Sequence, residues 1–269
     1  LKELPYEKRV CKVESYPPCS DWEYAGEGLT IEEYVDFLVD VGLEVHIIQA
    51  SLNRGSPRFA SQMLPSHPHL DTDPLPRFLA GCHEKGIIVL SYYPLIFNKQ
   101  LRGVHPEWLV KMFDEPTLDL PYGNRGWWCL NSPFRDWVIA YLSELLDNLD
   151  LDGFYFDDTN IGSHSDYPPN PPRELPGCHC QYCEELFRED TGLSIPRRVD
   201  FDSMTFRRYL GWRYEKLRES VRYIFRGIKD RHPDAILELN YYTRPSTDWV
   251  RGHPLNPMNL GADGLGYCF

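Results

Sequence analysis

No run of about 18 to 20 apolar residues, the length that spans a bilayer, occurs in the chain, and no basic-then-apolar leader opens it. A membrane partner is therefore not expected. Positive charge is short as well: 28 Lys and Arg stand against 40 Asp and Glu, a net charge of -12. A chain this acidic repels phosphate backbones and anionic lipid, which argues against nucleic acid as a partner. Cysteine is too scarce for a disulfide scaffold, eight in 269 residues, and its uneven clustering points to a metal. No solenoid-period repeat and no interdomain linker are found, and no Gly-rich phosphate loop follows the first strand. What is present is a globular composition, 42% apolar and 25% charged, able to bury a sizeable core. Aromatics reach 14%, which suits stacking against flat ligand faces as well as core filling. The chain begins at Leu1 rather than Met and stops at Phe269 inside an apolar run, so it reads as cut at both ends. The compartment stays open between cytoplasm and secretion with a leader removed.

Strand-like and helix-like runs alternate. Arg9 to Tyr16, Leu43 to Ala50, Ile87 to Tyr93, Asp152 to Asp157, Ala235 to Tyr242 and Gly264 to Phe269 read as six strands. Between them lie helical segments at Thr30 to Asp40, Asp73 to Glu84, from Ser132-Pro133 through Leu149, and Ser203 to Asp230. Strict alternation requires parallel pairing with right-handed crossovers, either an open doubly wound sheet or a closed barrel. The long post-strand loops, loaded with aromatic, His and carboxylate residues, favour an α/β (β/α)8 TIM-type barrel. Because such a barrel takes roughly 250 residues without insertions, and insertions are evident here, the expectation is a single domain over 1–269 that is incomplete at its C-terminus. About six strands are expected, with a Cys-rich metal-binding loop inserted at 159–200.

Cys178, Cys180 and Cys183 place three thiols within six residues, a density that suits tetrahedral Zn²⁺ with thiolates about 2.3 Å from the metal. A fourth ligand is required, and Cys129 is the first choice, with His179 or His164 behind it. Four thiolates leave no open position for water, so the zinc is expected to be structural. His105-x-Glu107 and Cys180-x-x-Cys183 loosely imitate a nucleobase deaminase, but 75 residues separate the halves, the preceding Pro is absent and two further cysteines would fill the site.

The turn Cys129-Leu130-Asn131-Ser132-Pro133, followed by Cys178-x-Cys180-x-x-Cys183, resembles the zinc cluster of family-42 β-galactosidases. Ser66 to Leu70, Cys82 to Ile87, His105 to Trp108 and Leu151 to Asp158 are similar to uncharacterised glycosyl-hydrolase-like barrels placed beside the α-L-fucosidases. The resemblance covers about Arg9 to Tyr242 and implies a sugar-cleaving or sugar-binding barrel, with a carbohydrate as partner; assembly into a homo-oligomer is left open. The family-42 Asn-Glu pair after the fourth strand is replaced by Asp157-Asp158-Thr159-Asn160. A fucosidase-like barrel instead carries its nucleophilic Asp at a position similar to Asp157.

Glycoside cleavage requires two carboxyl groups, about 5 to 5.5 Å apart for retention. Asp157 and its neighbour Asp158 are the catalytic candidates, and strand alternation aims only one of them at a given sugar. The alternative is that both cap the following loop. For the second carboxyl, Glu14, Glu238 and Asp263 each have an ordinary explanation, Glu238 as a helix-facing or paired core charge. His46, Arg54, His67, Tyr92, Trp128, Asn131, Asn240 and Tyr241 are candidates for holding or stacking on substrate, Asn240 and Tyr92 foremost. The favoured reading is a retaining glycoside hydrolase with an Asp nucleophile; the rival is a carbohydrate-binding or degenerate barrel without chemistry.

Overall fold

Thr30 accepts a hydrogen bond from the Glu33 amide while the Glu33 carboxylate reaches back to the Thr30 amide, a reciprocal cap that starts helix α1, Ile31–Asp40. From there the computed structural model describes residues 30–51, 56–67, 70–98, 100–111, 127–157, 159, 178–198, 200–242 and 261–268. The elements that follow are β1 (Val45–Ile48), α2 (Leu75–Glu84), β2 (Ile88–Pro94), α3 (Phe134–Asn148), β3 (Gly153–Asp157), α4 (Gln181–Thr191), α5 (Met204–Arg231), β4 (Ile236–Tyr242) and β5 (Gly264–Cys268). No helix among the described residues is long and apolar enough to cross a membrane.

Among the described residues all four strand pairings are parallel, in the order β1-β2-β3-β4-β5. Spatial order therefore follows chain order without reversal, unlike a doubly wound sheet, and right-handed crossovers send every connecting helix to the same face. Burial agrees. Val89, Phe154, Phe156, Leu237 and Leu239 point into the main core with Phe78, Val138, Leu142, Ile224 and Phe225 from the helices. Val45, Ile47, Leu90, Tyr155 and Ile236 point the other way and form a second cluster. None of these five exceeds 2% exposure, so the face without helices is buried too.

Five of the six expected strands are present; the Arg9 to Tyr16 run lies outside the described residues. The expected Cys-rich loop at 159–200 is not loop throughout, because α4 occupies Gln181–Thr191. Cys183 and Phe187, four residues apart, form its buried side, and Gly192 closes it in the left-handed conformation, φ 72°.

Close strand approach shapes the sheet beside the site. Gly153 opens β3 at φ 153°, and a Cβ there would collide with the Ile236 carbonyl on β4. Asp152, just before it, accepts hydrogen bonds from the Val89 amide (2.8 Å) and stands 2.9 Å from His83 Nε2, fixing the N-terminal edge of the sheet.

Candidate functional site

Alternation along β3 sends Gly153, Tyr155 and Asp157 to the helix-free face, and Asp157 ends the strand there, 5% exposed. Tyr92 on β2 donates its hydroxyl to Asp157 Oδ2 at 2.7 Å, and Asn240 on β4 donates Nδ2 to Oδ1 at 2.9 Å. Both carboxylate oxygens are thus held from the two flanking strands, which fixes the plane of the group. The Tyr92 and Tyr155 rings stack with centroids 6.4 Å apart beneath it. Behind the carboxylate, the Asp157 carbonyl accepts from the Leu95 amide at 2.9 Å, so the segment after β2 is tied to the end of β3.

Glu238 pairs in register with Tyr155 and Gly264, and Asn240 with Gly266. Its neighbours Leu237 and Leu239 lie in the helix-side core and Ile236 in the opposite cluster, so Glu238 shares the face of Asn240 and Asp157. The expectation of a helix-facing Glu238 is therefore corrected. It is 4% exposed and sits one inward-facing position nearer the start of β4 than Asn240. The signal was in the sequence: Glu238 and Asn240 are two apart on one strand. Asp263 lies instead at the N-terminal edge, accepting from the Leu237 amide (2.9 Å) and paired with Lys229 (2.7 Å).

Of the substrate-contact candidates, Tyr92 and Asn240 converge on Asp157. His46 does not share their face: its ring lies against Tyr34 of α1 and Phe78 of α2, at 6.0 and 5.7 Å. Burial pushes its pKa down to about 4. Trp128 is 1% exposed, which leaves no ring face for a sugar, and its Nε1 donates to the Asn98 carbonyl at 2.9 Å. Asn131 belongs to the cysteine cluster, donating Nδ2 to Cys183 Sγ at 3.3 Å. His67 is half-buried on the segment after β1, its amide donating to the Pro57 carbonyl; a buried Arg58–Asp73 pair (Nε to Oδ2 2.8 Å) anchors that segment. Tyr241 pairs with Tyr267 along β4 and β5. Arg54, Asp158 and Glu14 lie outside the described residues.

Cys129, Cys178, Cys180 and Cys183 are all buried, none is in a disulfide, and their sulfurs lie within 4.8 Å of one another. Cys129 Sγ is 3.4 Å from Cys183 Sγ and 3.5 Å from Cys180 Sγ. Tetrahedral zinc with Zn–S near 2.3 Å separates its sulfurs by about 3.8 Å, whereas a disulfide would bring two of them to about 2.05 Å. Hence the spacing fits a four-thiolate metal site and not a bridge. Hydrogen bonds from the other cysteines, and then burial, push the Cys129 thiol up, while the contacts around Cys180 hold that thiol well down. Backbone amides of Lys111 and Cys180 approach Cys178 Sγ at 3.4 Å, supplying the N–H donors that sulfur ligands commonly accept.

Arg213, read only as part of a long helix in the sequence, lines the same recess as Cys129, Cys178 and Cys183 and is 2% exposed. Its guanidinium lies 5.6 Å from the Tyr209 ring centroid. Burial pushes its pKa down, opposed by Tyr209, Tyr214 and the thiols of Cys183 and Cys178. A cation here would offset the negative charge of four thiolates if they held a divalent ion. It could have been found in the sequence, since Phe206, Tyr209, Arg213, Leu217 and Val221 follow one buried helical stripe broken by a charge.

Residues 30–158 match the family described as Hypothetical glycosyl hydrolase 6. No curated protein matches the chain by sequence. Among solved structures, the PgaB (BpsB) glycoside hydrolase domain from Bordetella bronchiseptica superposes with TM-score 0.69 at 14% identity, covering 97% of this chain and 73% of that one. The alpha-L-fucosidase isoenzyme 2 from Paenibacillus thiaminolyticus gives 0.58 at 22% identity over 80% of this chain and 30% of its own. The beta-galactosidase from the haloarchaeon Halorubrum lacusprofundi gives 0.60 at 15% over 97% and 39%. The chain thus spans well under half of the fucosidase and the beta-galactosidase, and at these identities the likeness is one of fold.

Proposed function

We propose that this chain is a single-domain portion of a (β/α)8 barrel glycoside hydrolase in which Asp157 is the nucleophile of a retaining reaction. One observation carries the reading: a carboxylate fixed by Tyr92 and Asn240 at the C-terminal end of a central parallel strand, on the face without helices. That end of the strands is where barrel enzymes place their chemistry. The match to a glycosyl hydrolase family and the fold shared with the PgaB domain support the same class.

Asp157 would attack the anomeric carbon as the glycosidic bond breaks, a general acid protonating the departing oxygen, and the covalent glycosyl ester would then be cleaved by water that gives its proton to the same group. Tyr92 and Asn240 hold the attacking oxygens in one orientation, so little rearrangement separates bound substrate from the reactive geometry. Glu238, deeper on the same wall, is suited to accept a sugar hydroxyl from below rather than to protonate the leaving oxygen. We assign a structural zinc ion to Cys129 and, from the 159–200 insertion, Cys178, Cys180 and Cys183; it would contribute fold rather than chemistry, because four thiolates complete its coordination.

A panel of aryl glycosides tests the enzyme reading. Turnover of at least one member is expected, with Asp157→Asn lowering it on the order of 10³-fold or more while sugar affinity in calorimetry is kept. A 2-deoxy-2-fluoro glycoside with a good leaving group should add its glycosyl mass to the peptide carrying Asp157. The loss of the family-42 Asn-Glu pair favours the rival, a binding barrel without chemistry. Normal sugar binding with no release from any glycoside would establish that rival instead.

A further inference from the structure

We infer that Trp128 is a positioning residue, the link through which the four-cysteine centre holds the Asp157 end of the sheet; this rests on the metal and active-site readings above. The path is a series of bonded neighbours. Cys129 directly follows Trp128 in the chain. Trp128 staples itself to the segment after β2 twice: its amide donates to the Ile96 carbonyl and its indole N–H to the Asn98 carbonyl, both at 2.9 Å. The first residue of that segment, Leu95, donates its amide to the Asp157 carbonyl. The same segment continues directly from β2, which carries Tyr92, the donor to Asp157 Oδ2.

The other side of the centre is tied down independently. The Cys129 amide donates to the Trp108 carbonyl at 2.9 Å, Val110 to Trp127 at 2.8 Å, and His179 to Lys111 at 2.8 Å. Ser220 of α5 donates to the Leu130 carbonyl at 3.1 Å. A metal ion closing the four sulfurs therefore immobilises residues 127–130 against α5, and Trp128 passes that constraint to residues 95–98. Without the ion, four mutually contacting buried thiols have no common bonding centre. The turn at residues 127–130 then gains freedom, and the Leu95 to Asp157 bond with it. A contiguous chain of packed and bonded groups can carry energetic coupling between two sites, and each step of this one is present.

Amide hydrogen exchange on the intact protein tests this without needing a substrate, so it is independent of whether the chain cleaves sugars. Wild-type protein of verified metal content is compared before and after chelation. Removal of the metal should speed exchange at Leu95 and Trp128 by at least about tenfold while the β3 amides of Phe154 and Tyr155 stay protected. Trp128→Phe, which keeps a buried ring but deletes the indole donor, should speed exchange at Leu95 with metal still bound stoichiometrically. An unchanged Leu95 after chelation overturns the inference, as does loosening confined to residues 178–183. A protein that holds no zinc and takes up neither zinc nor cobalt overturns it too, and identifies the metal reading as the part that failed. Should Trp128→Phe not fold, the chelation arm decides alone.

Discussion

His46 shows how a single buried polar residue sets a pH limit on the whole fold. It is fully buried between Tyr34 and Phe78, and neither ring nitrogen has a hydrogen-bond partner among the described residues. Burial lowers its pKa from 6.5 to about 4. Between those values the unfolded chain binds a proton that the folded chain does not, so stability falls as pH drops from 6.5 toward 4. The loss attributable to this one ring is on the order of 3 kcal/mol by pH 4. His46→Phe keeps a planar ring in the slot and removes both orphan nitrogens. Urea titrations at pH 8, 6 and 4 should show the variant at least as stable as wild type at pH 8 and progressively more stable below pH 6. A constant offset between the two proteins would mean that His46 is solvated. The sequence could not place this residue, because all four positions of β1 are buried. With no polar side to the strand, nothing in the residue pattern says which face is which. Tyr92, Asp157 and Asn240 were legible as strand-end residues, but that both donors meet one carboxylate depends on register, which a lone sequence does not carry.

Elements were legible where their ends carried chemistry. Thr30 with Glu33, and Ser203 accepting from the Phe206 amide, mark true helix starts at the positions their side chains suggest. Helix α4 escaped because its few buried residues include Cys183, which spacing alone assigns to a metal. Helix contacts were less legible still. On α5, an added Cβ at Gly227 would lie 2.6 Å from Ile139 Cδ1 of α3, so the glycine permits the close crossing of these two helices. Gly227→Ala should destabilise the protein by about 1 to 3 kcal/mol through overpacking, despite alanine's better helix propensity. Ile139→Val deletes the clashing Cδ1. In that background Gly227→Ala should cost less than in wild type, though the Cγ2 and Cγ1 positions that valine keeps, 3.1 and 3.2 Å from the added Cβ, leave part of the cost, giving a coupling that a double-mutant cycle in urea measures directly. Additive costs would show that the helices can slide apart.

At the scale of the whole molecule, the question is what covers the face of the sheet that no helix among the described residues touches. The five described strands, in sequential parallel order with all the described connecting helices on one side, would, if flat and open, leave Leu90, Tyr155 and Ile236 in water. They are instead at most 2% exposed, as buried as Leu239 on the helix side. Twist gives a physical reason: neighbouring parallel strands rotate by roughly 20 to 25° in one sense, and a singly wound sheet can curl until its inner side chains meet. A curled wall puts Asp157, Tyr92, Asn240 and Glu238 at the mouth and floor of one enclosure; a flat one spreads them over a plane. Alternation in the sequence implied parallel strands but not their curvature, since both faces of a parallel sheet read as apolar. Paired truncations separate the two shapes. Leu239→Ala removes a side chain from the helix-packed core and should cost about 2 to 5 kcal/mol. If the inner face is a packed core, Leu90→Ala costs a similar amount, because its cavity is lined on all sides and cannot fill with solvent. If that face is open, the truncated site is simply wetted, and the cost falls to about 1 kcal/mol or less in the same urea titration. Equal costs are the expected result, and they would make the wall around Asp157 a structural core in its own right.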